Sequence, residues 1–305
     1  MRAIKVIEYK QGSGLAGKRV IALGLFDGVH IGHRAIIERA IERASGLAIP
    51  TAVFTFRDDL RLKGGVRIYG IDERLSLLSE CGVDEVVLAS FEQISGMTAE
   101  DFVLKTLVSE LGCEVAVTGQ DFRFGRGAAG DTTLLRSLMA DSGRTVITAD
   151  DVILHGKKVS SSDIKSLVIS GRMKVAAELL GEPFFINGAV ERGMGLGHSF
   201  GYPTLNMRMP TTQVSPPAGV YATITLIDGI EYRSLTNVGT CPTVGERPQH
   251  METFILDFNR AIYGERVKLS FADYIREEKK FSSVDELKMQ INIDIERAFG
   301  EKRGD

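Results

Sequence analysis

The sequence predicts an α/β fold followed by an all-β one: a doubly wound parallel-sheet domain, then an antiparallel six-stranded type of β-barrel with a C-terminal helix. Three observations lead there. Short β-branched runs alternate with amphipathic helical stretches at intervals suited to βαβ crossovers through the first half. From Phe184 the texture changes to alternating runs such as VYATITLI and ETFILDF. The chain then closes on one strongly periodic helix. With 305 residues, 44% hydrophobic and 25% charged, it is long enough for two separate cores.

Taken in order, strands are expected at Arg19 to Phe26, Thr51 to Phe56, Glu85 to Phe91, Glu114 to Gly119 and Arg144 to Thr148. Helices fall between them, the first carrying Ile36, Ile37, Ala40, Ile41 and Ala44 on one face at the 3.6-residue period. Such alternation favours an open doubly wound sheet. Ser162 to Gly181 reads as helical and completes the first domain, which gives domains at 1–183 and 184–305. In the second half, Asp228-Gly229 marks a hairpin turn. Leu287, Ile291, Ile295 and Phe299 make Val284 to Phe299 a helix able to plug an open side of the barrel.

The net charge of -3 gives no basic footprint for nucleic acid or an anionic membrane. No run approaches the ~20 apolar residues of a membrane span, and the first residues lack the apolar core of a signal peptide, so a cytoplasmic protein is expected. Cys81, Cys113 and Cys241 are far apart and in no CxxC spacing, which points to small core residues and not to a disulfide framework or zinc site.

The run GLFDGVHIGH, Gly24 to His33, sits where the first strand hands over to the first helix, the place where open α/β sheets bind ligands. His30 and His33, beside Gly28 and Gly32, stand at a helix start, where backbone N–H groups and the helix dipole favour phosphate. Read alone, Gly24, Gly28 and Gly32 are equally the glycines of a tight turn. GKKVSSSDIK, Gly156 to Lys165, offers Ser160, Ser161 and Ser162 ahead of a helix, either as further phosphate donors or as an ordinary cap. Gly12 to Gly17 satisfies GxGxxG but precedes the first strand and reads as a loop. In the second half, GMGLGHSFGYPTLN, Gly193 to Asn206, carries glycines that permit close backbone approach to phosphates or mark bends in a barrel. Neither a P-loop nor a protein-kinase loop is present.

Together these segments resemble a known family. GLFDGVHIGH, TGQDFRFGRG and VSSSDIK, in this order, are similar to the adenylyltransferase half of the bacterial bifunctional riboflavin kinase/FAD synthetases. The Gly-rich loop, GYPTLN, GVY, NVGTCPTVG, ETFILDF and IREEKKF follow in the order found in riboflavin kinases, so the resemblance covers nearly the whole chain. It implies a nucleotidyltransferase domain that adenylylates FMN to FAD and a kinase domain that phosphorylates riboflavin to FMN, with ATP as co-substrate and Mg2+ in both. It further implies that His30 and His33 stabilise the transition state, with Gly24, Phe26, Asp27, Gly28, Gly32, the serines and Lys165 around the ATP phosphates. Asp121, Phe122 and Phe124 are then placed near the nucleotide or flavin. In the kinase half the resemblance implies Gly193, Gly195, Gly197 and Gly201 over the phosphates, Thr204 and Asn206 on magnesium, Glu252 as base and Arg276 beside the flavin. Riboflavin, FMN, FAD and ATP are the implied partners, with no nucleic acid and no membrane.

The sequence departs from the family pattern at four places. Lys165 replaces an arginine, keeping the charge but losing the bidentate fork. Thr55 to Leu60 lacks the usual proline and histidine, His198 stands where arginine is commoner, and Cys241 precedes Pro-Thr. These leave open a kinase with an idle adenylyltransferase, and a non-catalytic flavin- or nucleotide-binding regulator.

Overall fold

A computed structural model describes residues 4–12, 14–57, 65–192, 204–239 and 250–300. By its contacts the chain divides into two units, Met1–Ser161 and Ser162–Asp305.

The first unit is built on six parallel strands, β1 Lys5–Glu8, β2 Arg19–Leu23, β3 Thr51–Phe56, β4 Glu85–Ala89, β5 Cys113–Thr118 and β6 Thr145–Thr148. They lie in the order β1-β4-β3-β2-β5-β6. β2 to β5 are apolar runs buried almost end to end, as strands covered on both faces must be. Their helices are α1 Ile31–Leu47, α2 Ile71–Glu80, α3 Phe91–Ser95, α4 Ala99–Asp101 with a π-helical continuation over Phe102–Glu110, and α5 Thr132–Asp141. α1 buries Ile37, Ala40 and Ala44. Of the five expected strands, Thr51–Phe56 appears with the expected bounds, Cys113–Thr118 is shifted by one residue, and the other three are shorter by one to three residues. β1 was not expected: KVIE is short, largely exposed and carries no alternation to announce it. From β2, the order runs to β3 and β4 on one side and to β5 on the other, so the crevice for a ligand lies outside the carboxyl ends of β2 and β5. A two-stranded ribbon, β7 Ile153–Leu154 and β8 Lys157–Lys158, precedes the serines.

The second unit opens with the helical segment, which is two helices: α6 Ser161–Ile169, straddling the boundary, and α7 Met173–Leu180. Gly171, at φ +72°, breaks the segment between them. By contact this segment falls with the second unit, where α7 packs on the strand Arg266–Arg276. The strands β9 Phe185–Ala189, β10 Thr204–Arg208, β11 Gly219–Ile227, β12 Ile230–Gly239, β13 His250–Ile255 and β14 Arg266–Arg276 pair antiparallel in the order β10-β13-β12-β11-β14-β9. The sheet curls until its edges meet at a bridge, Glu191 N–H donating to Asn206 O at 2.8 Å. Asp228 and Gly229 both adopt positive φ, as a type I′ turn between β11 and β12 requires.

Alternation along these strands sends one set of side chains inward. Tyr221 and Phe271 pack there at 5.3 Å, and a chain of hydroxyls fills the remaining space. Thr223 meets Thr236 at 2.9 Å, Thr225 meets Ser234 at 2.8 Å, and Thr236 meets Thr253 at 2.9 Å. Leu235, Phe254 and Leu256 face outward and are covered by α8, Val284–Phe299, through Ile291, Ile295 and Phe299. The helix thus has the predicted span, and it lies along the outer face of the curled sheet, packed on Leu235, Phe254 and Leu256.

Of the cysteines, Cys113 is buried in β5, where desolvation pushes its thiol up to about 12, while Cys81 at the end of α2 is half-buried. Cys241 lies outside the described residues, as do His198 and the loop's Asp58, Asp59 and Leu60.

Candidate active sites

In the first unit the loop from Gly24 to His30 leaves β2 and turns into α1, fixed by hydrogen bonds from five residues outside it. Leu25 O accepts from Thr55 Oγ1 at 2.8 Å and from Arg74 Nη1 at 3.0 Å. Asp27 Oδ1 accepts from Ile68 N–H at 2.8 Å, Asp27 O from Ser161 Oγ at 2.9 Å, and Val29 O from Arg34 Nε at 3.1 Å. Phe26 and Val29 are held at positive φ, a conformation that costs L-residues energy and that surrounding contacts must enforce. Gly28 meets a real requirement: at φ +92° a Cβ there would stand 2.8 Å from Ile68 Cδ1. Asp27 and Phe26 are buried and shape the loop from within.

His30 is the N-cap of α1, its Nδ1 accepting from His33 N–H at 3.3 Å. That bond places the proton of the neutral ring on Nε2, which is then a donor. The two imidazoles stack at 3.6 Å with an interplanar angle of 17°, and Phe26 meets His33 edge-on at 5.3 Å. A Cβ on Gly32 would stand 3.2 Å from the His30 ring, so the glycine makes room for it. His33 Nδ1 is buried with no hydrogen-bond partner among the described residues. Burial lowers His30 from its ordinary 6.5 to about 4; burial, then the positive potential of His30 and Arg74, holds His33 well below its ordinary range. Both rings are therefore neutral at pH 7.

A consequence for stability follows from the sign of these shifts. The unfolded chain takes up protons on these histidines from pH 6.5 downward, whereas folded His30 resists until about 4. Stability contributed by the neutral ring is complete above 6.5 and declines by about 1.4 kcal/mol per pH unit on the way to 4. Denaturant unfolding between pH 7 and 4 is expected to show a slope to which both histidines contribute, and His30→Asn, which caps the helix without titrating, is expected to remove the share of His30, about 1.4 kcal/mol per pH unit, and leave that of His33. An undiminished slope in H30N would assign the proton uptake to other groups.

Ser161 is thus joined to the histidine loop, and Ser160 precedes it. Ser162 and Lys165 lie on α6 in the second unit. After β5, the side chain of Asp121 is largely exposed, ion-paired to Lys158 Nζ at 3.1 Å, and Lys158 also holds Asp151 at 2.8 Å. Phe122 stacks on Phe124, ring centroids 5.6 Å apart, and Phe124 is buried against Phe102. Gly119, at the head of this motif, stands against α1: a Cβ there would be 3.5 Å from Ile36 Cδ1.

Sequence reading missed Arg74. It is buried on α2, and besides Leu25 O it donates to Phe56 O at 2.8 Å, tying the histidine loop to the end of β3. Its signal was available: Arg74 sits on the stripe of Ile71 and Leu78, where a helix facing a sheet ought to be apolar.

In the second unit a cavity of about 350 Å³ lies between the outer face of the barrel and α8. Three polar residues cross its strands in register, Asn206 on β10 opposite Glu252 on β13, and Glu252 opposite Asn237 on β12. Thr204 Oγ1 donates to Glu252 Oε1 at 2.7 Å, and Asn206 Oδ1 stands 2.6 Å from His250 Nε2. Val220, Leu235, Phe254 and Ile291 supply apolar lining. Arg276 is tied to α8. Its guanidinium grips the buried carboxylate of Asp294 on α8, Nε at 3.0 Å from both oxygens and Nη2 at 2.8 Å, and Gln290 Nε2 donates to the same carboxylate. Asp294 was also missed, although it lies next to Ile295 on the buried stripe of α8. Gly193, Gly195, Gly197 and Gly201 lie outside the described residues.

The chain thus has two candidate sites, a helix start beside two stacked imidazoles in one unit and a carboxylate set against a hydroxyl in a partly apolar cavity of the other. Its family follows from comparison with known proteins. Residues 14–163 match the FAD synthetase family model and residues 180–300 the riboflavin kinase model. The bifunctional riboflavin kinase/FMN adenylyltransferase of Escherichia coli strain K12 is 36% identical over 90% of each chain. That of Bacillus subtilis strain 168 is 31% identical over 92% of each. A crystal structure of a macrolide-efflux protein from Streptococcus pneumoniae superimposes at TM-score 0.89 with 31% identity, covering 98% of this chain and 100% of that one. The chain belongs to the bifunctional riboflavin kinase/FMN adenylyltransferase family. No described helix is long and apolar enough to cross a membrane.

Proposed function

We propose that this chain makes FAD from riboflavin in two ATP-dependent steps, the second unit phosphorylating riboflavin and the first adenylylating the FMN. The observation that carries this reading is that the two family matches fall on the two units, each around one of the two sites. In functional terms residues 1–183 form the adenylyltransferase and 184–305 the kinase, in the cytoplasm where ATP is the common co-substrate.

In the kinase step Glu252 takes the proton of the terminal ribityl hydroxyl as its oxygen bonds to the γ-phosphorus of ATP and the bond to ADP breaks. Thr204 orients the carboxylate. The oxygen donors of Thr204 and Asn206, two residues apart on one face of β10, suit Mg2+, a hard ion that keeps water and phosphate among its ligands. When bound there, it offsets phosphate charge. Arg276, held by Asp294, borders the flavin.

In the adenylyl step an FMN phosphate oxygen attacks the α-phosphorus of ATP and pyrophosphate leaves. His30, through Nε2–H, and His33 donate to the phosphate oxygens on which charge gathers, and the N–H groups of the α1 start add to them. Ser160, Ser161, Ser162 and Lys165 serve the same phosphates, while Asp121, Phe122 and Phe124 serve the flavin side. Incubation with ATP and Mg2+ from riboflavin, and separately from FMN, followed by chromatographic separation of flavins, tests the reading. FAD from both is expected. FMN accumulating without FAD would leave only the kinase, and no product would favour a binding protein.

A further inference from the structure

The segment NVGTCPTVG contributes one described residue to the kinase cavity that the mechanism above does not use, Asn237. We infer that Asn237 is a specificity-determining residue, its side-chain oxygen accepting a hydrogen bond from a hydroxyl of the flavin's polyol chain, inward of the one that is phosphorylated. The inference rests on the proposed kinase reading of this cavity.

The orientation of the amide is fixed by chemistry. Asn237 Nδ2 stands 2.9 Å from Glu278 Oε1, and an ionised carboxylate only accepts, so the nitrogen must be on that side. The oxygen therefore faces the other way. Asn237 Oδ1 is buried and has no hydrogen-bond partner among the described residues. A buried acceptor left so is costly unless something else donates to it, and Asn237 is one of the residues that line the cavity.

What donates is set by its neighbours. Asn237 is directly opposite Glu252 in the β12–β13 register, and such pairs have Cβ atoms about 4.5–5.5 Å apart on one face. A ligand whose terminal hydroxyl reaches Glu252 passes Asn237 with the carbons just behind it. On a flavin those carbons carry hydroxyls. The apolar side chains of Leu235, Phe254 and Ile291 are left for the ring. A site that hydrogen-bonds a hydroxyl rejects a compound lacking it far more strongly than an apolar pocket can.

The experiment titrates the full chain with riboflavin and with lumiflavin, the same ring bearing a methyl group in place of the polyol, following flavin fluorescence. In Asn237→Ala the dissociation constant for riboflavin is expected to rise about tenfold, with that for lumiflavin unchanged. Glu278→Ala leaves the amide in place but frees it to turn, and is expected to give a smaller rise with the same asymmetry. Equal weakening of both flavins in both variants, or no weakening of riboflavin, would overturn the assignment. Wild-type protein binding neither flavin would instead overturn the kinase reading.

Discussion

Glu252→Gln is expected to stop phosphorylation of riboflavin, FMN formation falling about 10²–10⁴-fold, while the same preparation converts FMN to FAD at the wild-type rate. Glutamine has the length of glutamate, and its side-chain oxygen can still accept from Thr204 Oγ1, which stands 2.7 Å from the carboxylate. Packing under α8 is therefore preserved and the change is confined to proton affinity: an amide cannot take the hydroxyl proton as the oxygen–phosphorus bond forms. Time courses of both conversions check this. Wild-type FMN formation by E252Q would move the base to another group, and a loss of both activities would point to damage beyond the barrel.

The mirror result is expected for the histidines. Replacing His30 or His33 by alanine is expected to slow FMN to FAD about 10²–10³-fold, the scale of removing one preorganised donor from a charge-building site, with riboflavin phosphorylation intact. For His30 the alanine also removes the cap on α1, worth about 0.5–2 kcal/mol. His30→Asn separates the two effects, since asparagine caps well but cannot place a donor where Nε2–H was. Adenylylation should stay slow in H30N while stability recovers. Recovery of the rate together with the stability would show that His30 serves only the helix.

What could be read in the chain was what neighbouring residues decide together. The histidine corner was legible because Gly28, His30, Gly32 and His33 act within one turn, and the span of α8 because Leu287, Ile291, Ile295 and Phe299 repeat along one stripe. The residues that fix these groups were harder to see, since their partners are distant in sequence. Arg74 reaches Leu25 O across 49 positions, and Arg276 reaches Asp294 across 18. Arg74 and Asp294 are each a charge on an apolar helix stripe, so their positions were visible and their purpose was not. β1 was missed because it is added to β4 by main-chain pairing, and its four residues bury too little to leave a pattern.

The hydroxyls inside the barrel set how much play the outer face has. Thr236 and Thr253 are paired in the ladder and bonded through their side chains at 2.9 Å, and each adjoins in sequence a residue of the opposite face, Asn237 and Glu252. A fluid hydrocarbon filling would hold these strands by volume alone and let them slide slightly against each other. Directional bonds between stiff β-branched side chains resist that shear. The barrel's interior thus works as a jig, keeping neighbouring strands in register behind the carboxylate, where an error of one ångström would be enough to spoil proton transfer.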